Sequence, residues 1–106
     1  MMPAVVTLPG EIDITNAGNA ETQITTALAP GVTIVIADLT KTTFCDSTGL
    51  QHLFRADQAA ARSGAELRLV VSPGGTVARV LELTGLRRRF AVYPTLEQAA
   101  GQPPSG

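Results

Sequence analysis

The run Asp46-Ser47-Thr48-Gly49 puts a carboxylate, two hydroxyls and a glycine in consecutive positions just before an apolar helical pattern. Two uses fit those residue types. Asp46 or Ser47 can accept hydrogen bonds from the backbone N–H groups that a helix leaves without partners in its first turn. A hydroxyl at such a start is also within reach of a kinase, and phosphorylation would add about −1.5 to −2 charges and three strong acceptor oxygens. Helix-end N–H groups tolerate a phosphate, whereas a protein surface docked beside Asp46 would meet added like charge and bulk. A modification that spares the fold and breaks a complex is what a switch requires.

Other chemistry is sparse. His52 is the only histidine and stands between Leu50 and Leu53, which fits a surface or half-buried structural residue better than a catalytic base. No set of histidines and cysteines has metal-ligand spacing, and no nucleophile-elbow context is present. The single cysteine, Cys45, excludes an internal disulfide and is expected to pack at a strand-to-loop junction. Gly74-Gly75 follows a strand pattern and opens a helix, but neither the spaced three-glycine fingerprint nor a Gly-Lys-Ser/Thr ending accompanies it. A tight turn is therefore expected there. The chain reads as a protein that binds another protein, with no catalytic residue, cofactor or metal expected, and not as an enzyme.

The elements that must position Ser47 follow from hydrophobic periodicity. Residues 4 to 8 predict a short strand, and Asn16 is placed to cap a helix over about 17 to 28 that carries Ala17, Ala20, Ile24 and Leu28 on one face. The β-branched run at 32 to 37 predicts a buried central strand. After Asp46-Ser47-Thr48-Gly49, the residues Leu50, Leu53, Phe54, Ala60 and Ala61 describe a helix face ending near Arg62. Asp57 also falls on that face, so a rim position or an arginine partner is expected of it. A strand at 66 to 71, with Leu67, Leu69 and Val71 alternating, leads to a helix over about 76 to 84 that turns Val77, Val80, Leu81 and Thr84 inward before Gly85 caps it. Residues 90 to 93 predict a last strand, and Thr95 caps a small helix with Leu96, Ala99 and Ala100. The result is one α/β domain over residues 1 to 106, with a core over about 4 to 100 and a flexible tail over 101 to 106. Alternation of strand and helix predicts a small, mainly parallel sheet.

Composition bounds the function classes. The 106 residues carry eight basic and nine acidic side chains, a formal net charge of −1, which lacks the footprint of nucleic-acid binding. The run Arg87-Arg88-Arg89 near Arg79 reads as a solvated helix end. The start has no basic segment before a long apolar run, and no apolar stretch approaches the roughly 20 residues that cross a bilayer, so cytoplasmic residence without membrane contact is expected.

At this point the sequence resembles a known family, the STAS domain, and within it the bacterial anti-sigma factor antagonists. The resemblance rests on Gly10-Glu11-Ile12-Asp13, Asp38-Leu39, Phe44-Cys45-Asp46-Ser47-Thr48-Gly49-Leu50, Leu83-Thr84-Gly85-Leu86 with Phe90, and Tyr93-Pro94-Thr95-Leu96-Glu97-Gln98-Ala99. It implies a sheet with helices mainly on one face. It also implies a function: the unphosphorylated protein binds an anti-sigma factor that is a serine kinase, and thereby frees a sigma factor. Ser47 would be the phosphoacceptor, with Thr48 as a minor alternative, and a phosphatase would restore the unmodified form. The resemblance makes Asp46 and Gly49 shapers of the phosphosite and assigns partner contact to Glu11, Asp13, Thr48 and Leu50. On the helix after Ser47, the side chains of Gln51, Arg55 and Gln58 are expected to tune partner choice. The alternatives are a STAS adaptor without a switch and a small nucleotide-binding or enzymatic α/β protein. Family members usually have another strand, forming a hairpin with the one ending here at Leu8, and only seven residues precede Leu8. A missing edge strand would leave a pairing edge open to homodimerisation or aggregation.

Overall fold

The computed structural model describes residues 2 to 103. In chain order the elements are β1 (Ala4–Thr7), β2 (Glu11–Ile12), α1 (Ala17–Thr26), β3 (Ile34–Asp38), β4 (Phe44–Cys45), α2 (Ser47–Arg62), β5 (Glu66–Val70), α3 (Thr76–Thr84), a single 3-10 turn (Leu86–Arg88), β6 (Ala91–Tyr93) and α4 (Leu96–Gly101). The main sheet has the order β1-β3-β5-β6 and is parallel throughout. The small parallel α/β architecture expected from the sequence is the one observed.

Two clusters explain why β3 is apolar at nearly every position. Val35 and Ala37 point into the larger one, built with Ile24 of α1, Leu50, Leu53, Ala56 and Ala60 of α2, Leu67 and Leu69 of β5, and Val77, Ala78 and Leu81 of α3. Ile34 and Ile36 point to the other face, where with Val70 they meet Ala99 of α4. Helices α1 to α3 therefore share one face, and among the described residues the short α4 is the helix that covers the other. Each fully buried Ile, Val or Leu contributes on the order of 1.5 to 3 kcal/mol relative to exposure, so β3, buried on both faces, anchors the domain.

Several local expectations are corrected. Ala61 and Thr84 are exposed, and Ala56 completes the inner face of α2 instead. Thr84 turns its hydroxyl back to the Val80 carbonyl, 2.7 Å away. Gly85 does end α3, at φ 74°, a left-handed conformation that favours glycine. Asn16 stands at the start of α1 without capping it by its side chain. Its amide is drawn backwards, donating to the Glu11 carbonyl at 2.7 Å and accepting from the Asp13 N–H at 2.9 Å.

Arg68, in the middle of β5, is fully buried. Strand alternation sends it to the α4 face, where its guanidinium donates to the carbonyls of Ala99 (2.6 Å), Gln102 (2.7 Å) and Pro103 (2.7 Å) and lies 3.3 Å from a Glu66 carboxylate oxygen. Carbonyls at a helix C-terminus lack intrahelical donors and carry partial negative charge, so a cation suits them. Gln102 and Pro103, placed by the sequence in a flexible tail, are held by these bonds. Residues 104 to 106 of that tail lie outside the described residues.

Strand β1 pairs only with β3 among the described residues, which leaves its outer edge open. No helix among the described residues is long and apolar enough to cross a membrane.

Candidate functional site

Ser47 is the first residue of α2, and its neighbours fix it in place. Asp46 has an extended backbone, φ −86° and ψ −176°, and its carboxylate accepts from the Gly49 N–H at 2.9 Å. The sequence left the capping role open between Asp46 and Ser47. Asp46 fills it, so the Ser47 side chain is exposed and not needed as the cap.

The two-residue strands β2 and β4, which carry too few residues to show a period, pin this helix start. They pair in parallel with Glu11 opposite Phe44 and Ile12 opposite Cys45, and the Asp46 N–H donates to the Ile12 carbonyl at 3.2 Å. Upstream, the Thr43 N–H donates to the Gly10 carbonyl at 2.7 Å, and the buried Thr42 hydroxyl donates to the Pro9 carbonyl at 2.7 Å. The β2–α1 loop, with Glu11 and Asp13, is thereby tied to the segment that delivers Ser47. Asp13 accepts from both the N–H and the hydroxyl of Thr15, and those bonds, the hydroxyl's first, hold its carboxyl below the usual value.

Gly49 explains the glycine of the motif by close approach, since a Cβ there would stand 2.7 Å from Cys45 Sγ, 2.9 Å from Ile12 Cγ2 and 3.2 Å from the Ile12 carbonyl oxygen. Cys45 is buried as expected; burial, and then the adjacent Asp46 charge, push its thiol up to about 11. It is therefore protonated and inert near neutral pH.

Beside Ser47 runs a groove of about 320 Å³ between α2 and the α3/3-10 segment. Ser47, Leu50, Gln51 and Phe54 form one wall at helical spacing, and Thr84, Leu86 and Arg89 form the other. Of the sequence-assigned partner residues, Leu50 is buried and lines the groove, while Gln51 is exposed at its rim. Glu11 is exposed and Thr48 half-buried. Arg55 points away, toward α1: its Nε lies 3.8 Å from the Glu21 carboxylate, which also meets His52 Nδ1 at 2.6 Å. Gln58 is exposed and outside the groove.

Sequence reading missed the groove's second wall, because it is supplied by residues nearly 40 positions from Ser47. The exposed apolar side chains Ile14, Phe44 and Leu83, at 76, 46 and 76% exposure, were missed as well. Each adjoins the site in the chain: Ile14 follows Asp13, Phe44 precedes Cys45, and Leu83 precedes Thr84. No cluster of three or more His, Cys, Asp or Glu side chains suited to a metal is found among the described residues.

The site is thus an exposed, helix-positioned hydroxyl beside an apolar groove, on a small parallel α/β domain. The STAS domain model matches residues 2 to 99, and the chain belongs to that family. It is 31% identical over 97 residues to the anti-sigma-F factor antagonist RsfB of Mycobacterium tuberculosis, an alignment covering 91% of this chain and 77% of that protein. The crystal structure of an anti-sigma factor antagonist from Mycobacterium paratuberculosis superposes with a TM-score of 0.79 at 31% identity, over 92% of this chain and 81% of the other. A sulfate transporter family protein from Wolinella succinogenes shares the fold, with a TM-score of 0.73 at 14% identity over 92% of this chain and 81% of its own.

Proposed function

We propose that this protein is an anti-sigma factor antagonist switched by phosphorylation of Ser47. In its unphosphorylated form it binds an anti-sigma factor that is also a serine kinase, and so frees a sigma factor. The observation that carries the reading is the exposure of Ser47 at a helix start already capped by Asp46, on the rim of an apolar groove. The partner covers the groove and the neighbouring Phe44 and Leu83, with Glu11, Asp13 and Gln51 at the polar edge. Apolar centres with polar rims are the usual anatomy of such contacts. A phosphate on Ser47 puts a dianion at that rim beside the Asp46 carboxylate, while Asp46 continues to cap the helix. The modification therefore opposes docking more than folding. A phosphatase reverses it, and Thr48, half-buried one residue on, is the minor acceptor.

Incubating the protein with the serine kinases of its own genome and labelled ATP tests this role. Wild type and Thr48→Ala should incorporate phosphate and Ser47→Ala should not. Equal labelling of Ser47→Ala, or none of any form, would overturn Ser47 as the acceptor and favour the constitutive adaptor. A second copy of the chain is the proposed partner for the open edge of β1. Sedimentation at increasing concentration tests it, with a strictly monomeric protein as the contrary result.

A further inference from the structure

Arg89 holds a position that a solvated helix end does not explain. It follows the 3-10 turn and places its guanidinium over the Phe54 ring, 4.6 Å from the centroid. Phe54 lies two turns along α2 from Ser47 on the same face, and Ser47, Phe54 and Arg89 line the one groove. Arg89 also borders the next hollow, with Asp57, whose half-buried carboxyl feels its charge. Among the described residues Arg89 makes no salt bridge. Its neighbour Arg87 lines a different hollow, with Glu82 and Tyr93. Of the arginine run, then, only Arg89 lines the groove that Ser47 lines.

We propose that Arg89 is the intramolecular receiver of a phosphate on Ser47, an inference that rests on the reading of Ser47 as the phosphoacceptor. Before modification the guanidinium lies flat on Phe54 and forms part of the docking wall. A phosphate on Ser47, two turns along the same groove, offers a stronger partner, because a planar guanidinium pairs with phosphate oxygens through two charge-assisted hydrogen bonds, whereas an exposed cation–π contact is weak. Arg89 then leaves the ring and bridges the groove, so the entry for a partner's apolar side chain closes. Phosphorylation on this account does two things at once: it adds negative charge at the rim, and it draws a wall of the groove across its own mouth.

The test installs phosphoserine at position 47 during synthesis, so that no kinase is needed, in wild type, Arg89→Gln and Arg89→Lys. Phosphorus NMR follows the second ionisation of the phosphate, near pH 6 for phosphoserine. In wild type it should fall at least about half a pH unit below its value in Arg89→Gln, with Arg89→Lys between them. Proton NMR should show the Phe54 ring signals moving on phosphorylation in wild type and not in Arg89→Gln. Circular dichroism checks that each variant is folded, which the exposed position of Arg89 favours. Coincident phosphate titrations in wild type and Arg89→Gln would overturn the proposal. That failure is separate from the failure of the switch itself, which would appear as a native Ser47 that no kinase labels.

Discussion

Replacing Gly49 by alanine sets two known effects against each other. In an ordinary helix interior the change is worth up to about 1 kcal/mol of added stability, because glycine spends more backbone entropy on becoming helical. Here the new methyl would lie 2.7 Å from Cys45 Sγ, 2.9 Å from Ile12 Cγ2 and 3.2 Å from the Ile12 carbonyl oxygen. The sulfur and the methyl belong to buried side chains, and the carbonyl belongs to backbone already bonded to the Asp46 N–H. None of the three can yield cheaply, so the overpacking cost belongs in the upper part of its usual range, about 2 to 3 kcal/mol. The net effect is a destabilisation of about 1 to 2 kcal/mol. In a domain of this size that is a fall in melting temperature of roughly 4 to 16 °C. Urea and thermal unfolding of wild type, Gly49→Ala, Cys45→Ala and the double variant measure it. Cys45→Ala removes the nearest clash, so it should cost less in the alanine background than in wild type, with a coupling of about 0.5 kcal/mol or more. A Gly49→Ala protein as stable as wild type, or more so, would refute the close seat of α2 on β2 and β4.

Asp46→Ala should lose about 1 kcal/mol of stability through the uncapped Gly49 N–H, while Asp46→Asn retains most of it, as chemical denaturation will report. Arg68→Ala should cost about 3 kcal/mol and speed hydrogen exchange in α4, because the carbonyls of Ala99, Gln102 and Pro103 lose their buried donor and a cavity opens. Burial holds the Asp57 carboxyl above its usual 3.8, with Arg89 pulling it down and Glu66 pushing it up. The native protein therefore takes up that proton before the unfolded chain does, and the group's contribution to stability falls as pH rises from about 4 through its raised value. Asp57→Asn should accordingly match wild type at low pH and exceed it near pH 7 in a series of urea midpoints.

What the sequence made legible was the part governed by local rules. The β3 run, the Gly85 stop, the Thr95 cap and the helix start at Asp46 each follow from a few adjacent residues whose conformational preferences agree with the fold. The illegible parts depend on contacts between distant segments. Strands β2 and β4 have two residues each and exist because they pair with one another. Asn16 has the residue type of a cap, yet its amide is better satisfied by bridging Glu11 and Asp13. Arg68 looks like the polar position of an alternating strand until α4 covers that face. The motif around Ser47 was visible, but the groove was not, since its second wall arrives from Thr84, Leu86 and Arg89. Close approach at Gly49 also required knowing that β2 runs beneath α2.

The most direct measurement is the affinity of the cognate anti-sigma factor for the unmodified protein and for the protein fully phosphorylated on Ser47, by calorimetry on samples of matched thermal stability. A dianion at the edge of a desolvated contact should weaken binding at least about 100-fold, equivalent to about 2.7 kcal/mol, with the fold retained. Equal affinities of the two forms would contradict a phosphorylation switch at Ser47 and leave Asp46-Ser47 as a helix start alone.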